Sequence, residues 1–121
     1  MNDKPTLILG ASPNPGRYSY LITLKLHEHG HTVFPLGIKE GRIGDLDILH
    51  DCPQDVKIHT VTMYLGQEHQ KSWEDLILSL KPERIIFNPG AENKGLYDKA
   101  TQRGITCIEG CTLVMLASGD F

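Results

Sequence analysis

Strands alternating with helices along 121 residues predict an α/β fold, a three-layer sandwich around a mainly parallel five-stranded sheet. Three observations carry that expectation. Short apolar runs each stop at glycine, proline or a polar turn; apolar residues at helical spacing lie between them; and no internal repeat or low-complexity stretch interrupts the pattern. A single domain over residues 1–121 is expected, long enough to bury a core without a disulfide or metal staple.

The first strand is Thr6 to Leu9, ending at Gly10 and the turn-rich segment Ala11 to Gly16. Arg17 to His29 carries Leu21, Ile22, Leu24 and Leu26 without Pro or Gly, and Gly30 stands where a helix C-terminal glycine belongs. Thr32 to Leu36 is the second strand, with Pro35 expected at its end because proline lacks the ladder donor. Gly37 to Lys57 shows no sustained period and reads as a long loop holding at most one short strand or helical turn. Ile58 to Leu65 alternates as the third strand. Trp73, Leu76, Ile77 and Leu80 then fall on one helical stripe, read as core packing and ended by Pro82.

Arg84 to Asn88 is the fourth strand, Leu96 to Thr101 a short helix stopped by Gly104, and Ile105 to Ile108 the fifth strand. Thr112 to Ala117 has the length of a terminal helical turn or two. The expected order of these five strands across the sheet is 3-2-1-4-5. Ligands of open α/β sheets bind outside the carboxyl ends of the strands, where the order reverses. The loops 10–18, 37–42, 63–67, 88–93 and 109–112 are therefore the candidate site.

Composition narrows the ligand. Fifteen acidic against 12 Lys and Arg residues, a formal net charge of −3, argue against a broad nucleic-acid or anionic-membrane surface but allow a small anion. Three cysteines, Cys52, Cys107 and Cys111, form neither a zinc quartet nor a C-x-x-C pair, so a reduced intracellular chain is expected. No run has the apolar length of a signal core or a membrane span, and a soluble cytoplasmic protein follows as the expectation.

Gly10 to Gly16 follows a strand and opens a helix, the setting in which backbone N–H groups hold phosphate. It departs from G-x-G-x-x-G, with Ser12 at the second glycine and the last glycine one residue late. It is also one residue too long for a triphosphatase loop, with Arg17 and Tyr18 in place of its Lys and Ser or Thr, which argues against that chemistry. At the exit of the second strand an NAD site places a carboxylate, whereas this chain has Ile38-Lys39; a lysine favours a phosphorylated ribose, as in coenzyme A or NADP.

Gly-Ala-Ser-Pro-Asn-Pro-Gly-Arg-Tyr-Ser at 10–19, Gly30-His31 before the strand that leads to Lys39, and Asn88-Pro89-Gly90-Ala91-Glu92-Asn93 resemble the stand-alone CoA-binding domain family. That family is similar in turn to the N-terminal domain of the succinyl-CoA synthetase alpha subunit, and the similarity spans nearly the whole chain. The resemblance implies a Rossmann-like domain that holds coenzyme A or an acyl-CoA at the carboxyl edge of its sheet. It assigns Gly10, Ala11, Ser12, Asn14, Arg17 and Tyr18 to the phosphate loop, and Ile38 and Lys39 to the second-strand exit. Met63 and Tyr64 fall beside the adenine or pantetheine arm, Asn88, Pro89 and Gly90 at the fourth-strand turn, and Cys111 after the last strand. Glu109-Gly110 stands where many members have Asp-Arg, and no Glu-His follows the cysteine. A second domain of the kind that carries the synthetase's phosphorylated histidine is not expected, and with it a complete acyl-CoA ligase activity.

Other constellations carry less. His27-Glu28-His29-Gly30-His31 fits H-E-x-x-H, but Gly30 ends the helix before His31 can stand over His27. Cys107 and Cys111 are separated by Gly110, and Cys107 reads as core. No catalytic residue and no metal ligand is assigned. The expected function is coenzyme A or acyl-CoA binding without catalysis. The rivals are an NADP-dependent oxidoreductase and a ligand-free interaction subunit, either self-associating or docked on a separate enzyme chain.

Overall fold

The structure is a computed structural model and describes residues 3–121. Its main sheet is built from β1 (Thr6–Leu9), β2 (Val33–Leu36), β5 (Thr60–Met63), β6 (Arg84–Phe87) and β7 (Thr106–Glu109), all parallel, in the order β2-β1-β5-β6-β7. Helix α1 (Tyr18–Glu28) joins β1 to β2, and a two-stranded antiparallel hairpin, β3 (Arg42–Ile43) and β4 (Leu46–Asp47), follows β2. After β5 come α2 (Gln67–Gln70), a 3-10 turn (Lys71–Trp73) and α3 (Glu74–Leu80). Helix α4 (Lys94–Gln102) joins β6 to β7, and α5 (Thr112–Ser118) closes the fold. No described helix is long and apolar enough to cross a membrane.

Residues alternate across the pleat, so successive side chains of each buried strand enter different layers. Leu7, Leu9, Val61, Met63, Ile85 and Phe87 face α3 and α4, where Ile77, Leu78, Leu96 and Ala100 cover them. Ile8 and Ile86 face the other layer, formed by Ile22 and Leu26 of α1 with Leu113 and Leu116 of α5. Each fully buried Leu, Ile or Phe contributes about 1.5–3 kcal/mol, which makes these two clusters the main source of stability.

The α/β class and the parallel five-stranded sheet agree with the sequence; the strand order does not. Counted along the chain, the five strands lie 2-1-3-4-5, with the strand at 60–63 against β1 and not outside β2. The place outside β2 is taken by a single residue. Leu49 forms an isolated parallel bridge with Leu36, its N–H donating to the Pro35 carbonyl at 2.8 Å and its carbonyl accepting from Gly37 N–H at 3.0 Å. The 37–57 segment thus contains a hairpin and a one-residue remnant of an outer strand. Ile43 and Ile48 of that segment are buried against the α1 layer.

This bridge also explains Pro35, which lies within β2. The carbonyls of Thr32 and Leu36 face β1, where they accept from Thr6 and from Gly10 and Ala11, while the Pro35 carbonyl faces Leu49. In a parallel strand the N–H and C=O of one residue point the same way, so the donor that proline lacks belongs to the outer side and the β1 ladder is intact.

The Trp73 stripe packs on the core as expected, with Ile77 buried and Trp73 and Leu80 partly buried against the same cluster, although a 3-10 turn ending at Trp73 precedes α3. Helix α1 ends as expected at Gly30, whose N–H donates to His27 while His31 N–H donates to Leu26, a Schellman arrangement that leaves His31 outside the helix.

At the opposite edge from the carboxyl ends, two histidines are shifted toward their neutral form. Partial burial lowers the pKa of both His31 and His59, outweighing the attraction of Asp3 and Glu83 respectively. The Nδ1 of His31 accepts from the Lys4 amide at 3.1 Å, a bond that protonation would break. Nδ1 of His59 meets the Thr60 hydroxyl at 2.7 Å, and Nε2 meets Glu83 at 2.8 Å. A group whose folded pKa is lowered takes up its proton later than the unfolded chain does, so stability falls as pH drops through the unfolded value near 6.5. The melting temperature should therefore decline between about pH 7.5 and about pH 5.5. Replacing both residues by Gln should flatten that decline; an unchanged slope in the double variant would assign the effect to other groups.

Candidate functional site

Where β1 ends, the backbone is drawn against the exit of β2. The N–H groups of Gly10 and Ala11 both donate to the Leu36 carbonyl, at 2.9 and 3.0 Å. Gly10 has φ +100°, and a Cβ there would stand 3.1 Å from the Tyr64 carbonyl carbon. Gly37 is tighter: an added Cβ would lie 2.4 Å from the Ala11 carbonyl oxygen, closer than any real contact. The exits of β1, β2 and β5 therefore converge on two glycines.

The loop that follows is shaped by its own side chains. Ser12 Oγ accepts from Asn14 N–H at 3.1 Å, and Asn14 Oδ1 accepts from Gly16 N–H at 2.9 Å, two local turns that bring the chain into α1 at Arg17. Gly10 and Ala11 have spent their donors on β2. The amides of Ser12, Tyr18 and Ser19 meet no acceptor among the described residues. Free donors at a strand exit and a helix N-terminus are the kind of groups that hold anions.

A cleft of about 830 Å³ opens above this loop. It runs from Gly37, Ile38 and Lys39 at the β2 exit, over Gly10, Ala11, Ser12, Arg17 and Tyr18, to Tyr64, Leu65 and Pro89 at the exits of β5 and β6. It coincides with the point where the strand order reverses, between β1 and β5. Three cations, Arg17, Lys39 and Lys71, line it against one carboxylate, Glu68. Two of the four large apolar side chains exposed among the described residues, Tyr18 at 72% and Ile38 at 84%, also lie on it. Burial pushes the Tyr64 phenol up to about 12, with the Thr62 and Thr112 hydroxyls only partly offsetting that, so the ring lines the cleft while its hydroxyl stays neutral beside those two buried groups.

Five of the residues nominated from sequence do not line the cleft. Asn14 shapes the loop from within. Met63 is fully buried in the α3 and α4 layer, and its carbonyl accepts from the Asn88 amide. Asn88 is 3% exposed and serves as a tie: its Nδ2 donates to the Thr62 hydroxyl and the Met63 carbonyl, both at 2.8 Å, while its Oδ1 accepts from the N–H and hydroxyl of Thr112, both at 2.9 Å. Gly90 lies in the turn beyond Pro89, and Cys111, half-buried, precedes α5. The wall formed by Glu68, His69, Lys71, Ser72 and Trp73 was missed in the sequence. The polar run after the third strand was its signal, read only as a helix start.

Comparison with known proteins bears on the same region. A family model described as a CoA binding domain matches residues 4–117. The crystal structure of an uncharacterized protein is 45% identical, with both chains covered in full and a TM-score of 0.95. A hypothetical protein from Pyrococcus horikoshii OT3 has 19% identity and a TM-score of 0.85 over 97% of this chain and 83% of its own. A protein from Thermus thermophilus has 17% identity and a TM-score of 0.82 over 98% and 91%; at such identities these two share the fold. No curated protein matches the chain. With a family model matching residues 4–117, nearly the whole chain, this chain belongs to the CoA-binding domain family.

Proposed function

We propose that the protein binds coenzyme A or an acyl-CoA in this cleft, without catalysis of its own. The observation that carries the reading is the order of chemistry along the sheet edge. Lys39 and the exposed Ile38 stand at the β2 exit, the unpaired amides of Ser12, Tyr18 and Ser19 beyond β1, and the Tyr64, Leu65 and Pro89 surface at the exits of β5 and β6. A 3′-phosphorylated adenosine suits the first, with Ile38 and Tyr18 offering apolar surface to the base. A pyrophosphate suits the second, and the pantetheine arm suits the third.

The residues present fit that ligand by charge as well, with three cations against one carboxylate in the cleft. The assigned roles are Gly10 and Ala11 as the close-approach turn, Ser12, Arg17 and Tyr18 around the phosphates, Ile38 and Lys39 at the adenosine, and Tyr64 and Pro89 along the arm. Glu68 and His69 are 3.7 Å apart but both largely exposed, an arrangement in which a charge pair is worth little.

Calorimetric titration with coenzyme A, dephospho-CoA, NADP and NAD at one salt concentration tests the ligand class. Selective coenzyme A binding, weakened by loss of the 3′-phosphate, is expected; NADP bound as tightly would favour an oxidoreductase, and silence with all four would leave an interaction subunit. Lys39→Glu should weaken coenzyme A by about five- to tenfold at low salt while leaving dephospho-CoA nearly unchanged. An equal loss for both ligands would remove Lys39 from the 3′-phosphate. Gly37→Ala should cost about 1–3 kcal/mol of stability through the forced contact with the Ala11 carbonyl, and should weaken coenzyme A as the two loops separate. Unaltered affinity in that variant would mean that the loops need not touch.

A further inference from the structure

Gln70 is fully buried, an unusual place for a glutamine on a four-residue helix. Its amide uses both donor hydrogens on backbone carbonyls of two different loops: Nε2 donates to Leu65 at 2.8 Å and to Ala91 at 2.7 Å. Its Oε1 accepts from Asn93 Nδ2 at 3.0 Å. Asn93 in turn caps α4, Oδ1 accepting from Leu96 N–H at 3.2 Å, and its Nδ2 also lies 3.2 Å from Glu74 Oε2. One side chain thus joins the loop after β5, the loop after β6 and the start of α4.

Each joined part belongs to the same side of the cleft. Leu65 lines it directly, Ala91 follows the lining residue Pro89 by two positions, and Gln70 itself lies between the lining residues His69 and Lys71. An apolar residue of similar size would fill the space equally well. It would also leave the Leu65 and Ala91 carbonyls without this donor inside the protein, and those two loops without a common anchor.

We infer that Gln70 is a positioning residue that fixes the cleft wall formed by the loops after β5 and β6, and thereby sets affinity for the pantetheine arm but not for the nucleotide. The inference rests on the orientation of coenzyme A given above. Lys39 and the phosphate loop lie at the β2 and β1 exits, and Gln70 makes no hydrogen bond to either. Deleting the Gln70 amide therefore leaves the nucleotide contacts in place.

The test compares coenzyme A with adenosine 3′,5′-bisphosphate, which lacks the arm, on wild type, Gln70→Met and Asn93→Ser. Ser keeps a hydroxyl to cap α4 but removes the donor to Gln70. Gln70→Met should bind coenzyme A about tenfold more weakly, the scale of one buried carbonyl left unpaired, and the bisphosphate within about twofold of wild type. Asn93→Ser should show the same split to a smaller degree and reports on the brace if Gln70→Met does not fold. Equal weakening of both ligands, or no weakening of either, overturns the inference. Wild type that binds neither ligand defeats the coenzyme A reading instead. In that case hydrogen exchange of the ligand-free proteins decides the brace: faster exchange at 65–66 and 90–92 in Gln70→Met supports it, and unchanged exchange overturns it.

Discussion

The carbonyl of Leu36 is the point on which the site depends. By accepting from both Gly10 and Ala11 it pins the exit of β1 to the exit of β2, and the absence of a side chain on Gly37 lets the Ala11 carbonyl close the remaining gap. Those bonds consume the first two donors after β1 and leave the Ser12 amide and the first turn of α1 for a ligand. The donors left free at this edge are thus defined by what the backbone has already satisfied, and under the proposed reading a phosphate meets donors that adjoin a parallel ladder.

The far side of the same cleft is held by side-chain amides. Asn88, Thr62 and Thr112 form a closed buried ring, with the Thr62 and Thr112 hydroxyls 2.8 Å apart, that ties β5 and β6 to the start of α5. Gln70 and Asn93 form a second brace outside it. Every polar atom named in these two networks has a partner, which is the condition under which buried polar groups rigidify a fold. The cleft therefore lies between a wall fixed by backbone bonds and a wall fixed by amide side chains.

The class of fold and the loop after β1 were legible because both are local: glycines bound the strands, and a turn between a strand and a helix is contiguous in sequence. Strand order was not. The run at 58–65 has the same alternation whether it lies beside β1 or outside β2, and the outer position is filled by Leu49 alone, a contact too short to leave a periodic trace. Of the residues nominated at strand exits, Ser12, Arg17, Tyr18, Ile38, Lys39, Tyr64 and Pro89 line the cleft. Met63 and Asn88 occupy equivalent places yet turn inward, since alternation sends Met63 into the core and Asn88 spends its amide on neighbouring strands. Gln70 gave no signal, because a buried glutamine in a polar run is indistinguishable from an exposed one until the loops that it joins are known.

Backbone amide chemical shifts recorded while coenzyme A is added test the central claim most directly, because they map the ligand onto the sheet edge residue by residue. The account predicts the largest changes at Ser12, Tyr18 and Ser19, with further changes at Ile38 and Lys39 and at Tyr64 and Leu65, and little at the strand starts around His31 and His59. Changes centred on those strand starts, or none at the loop after β1, would contradict it.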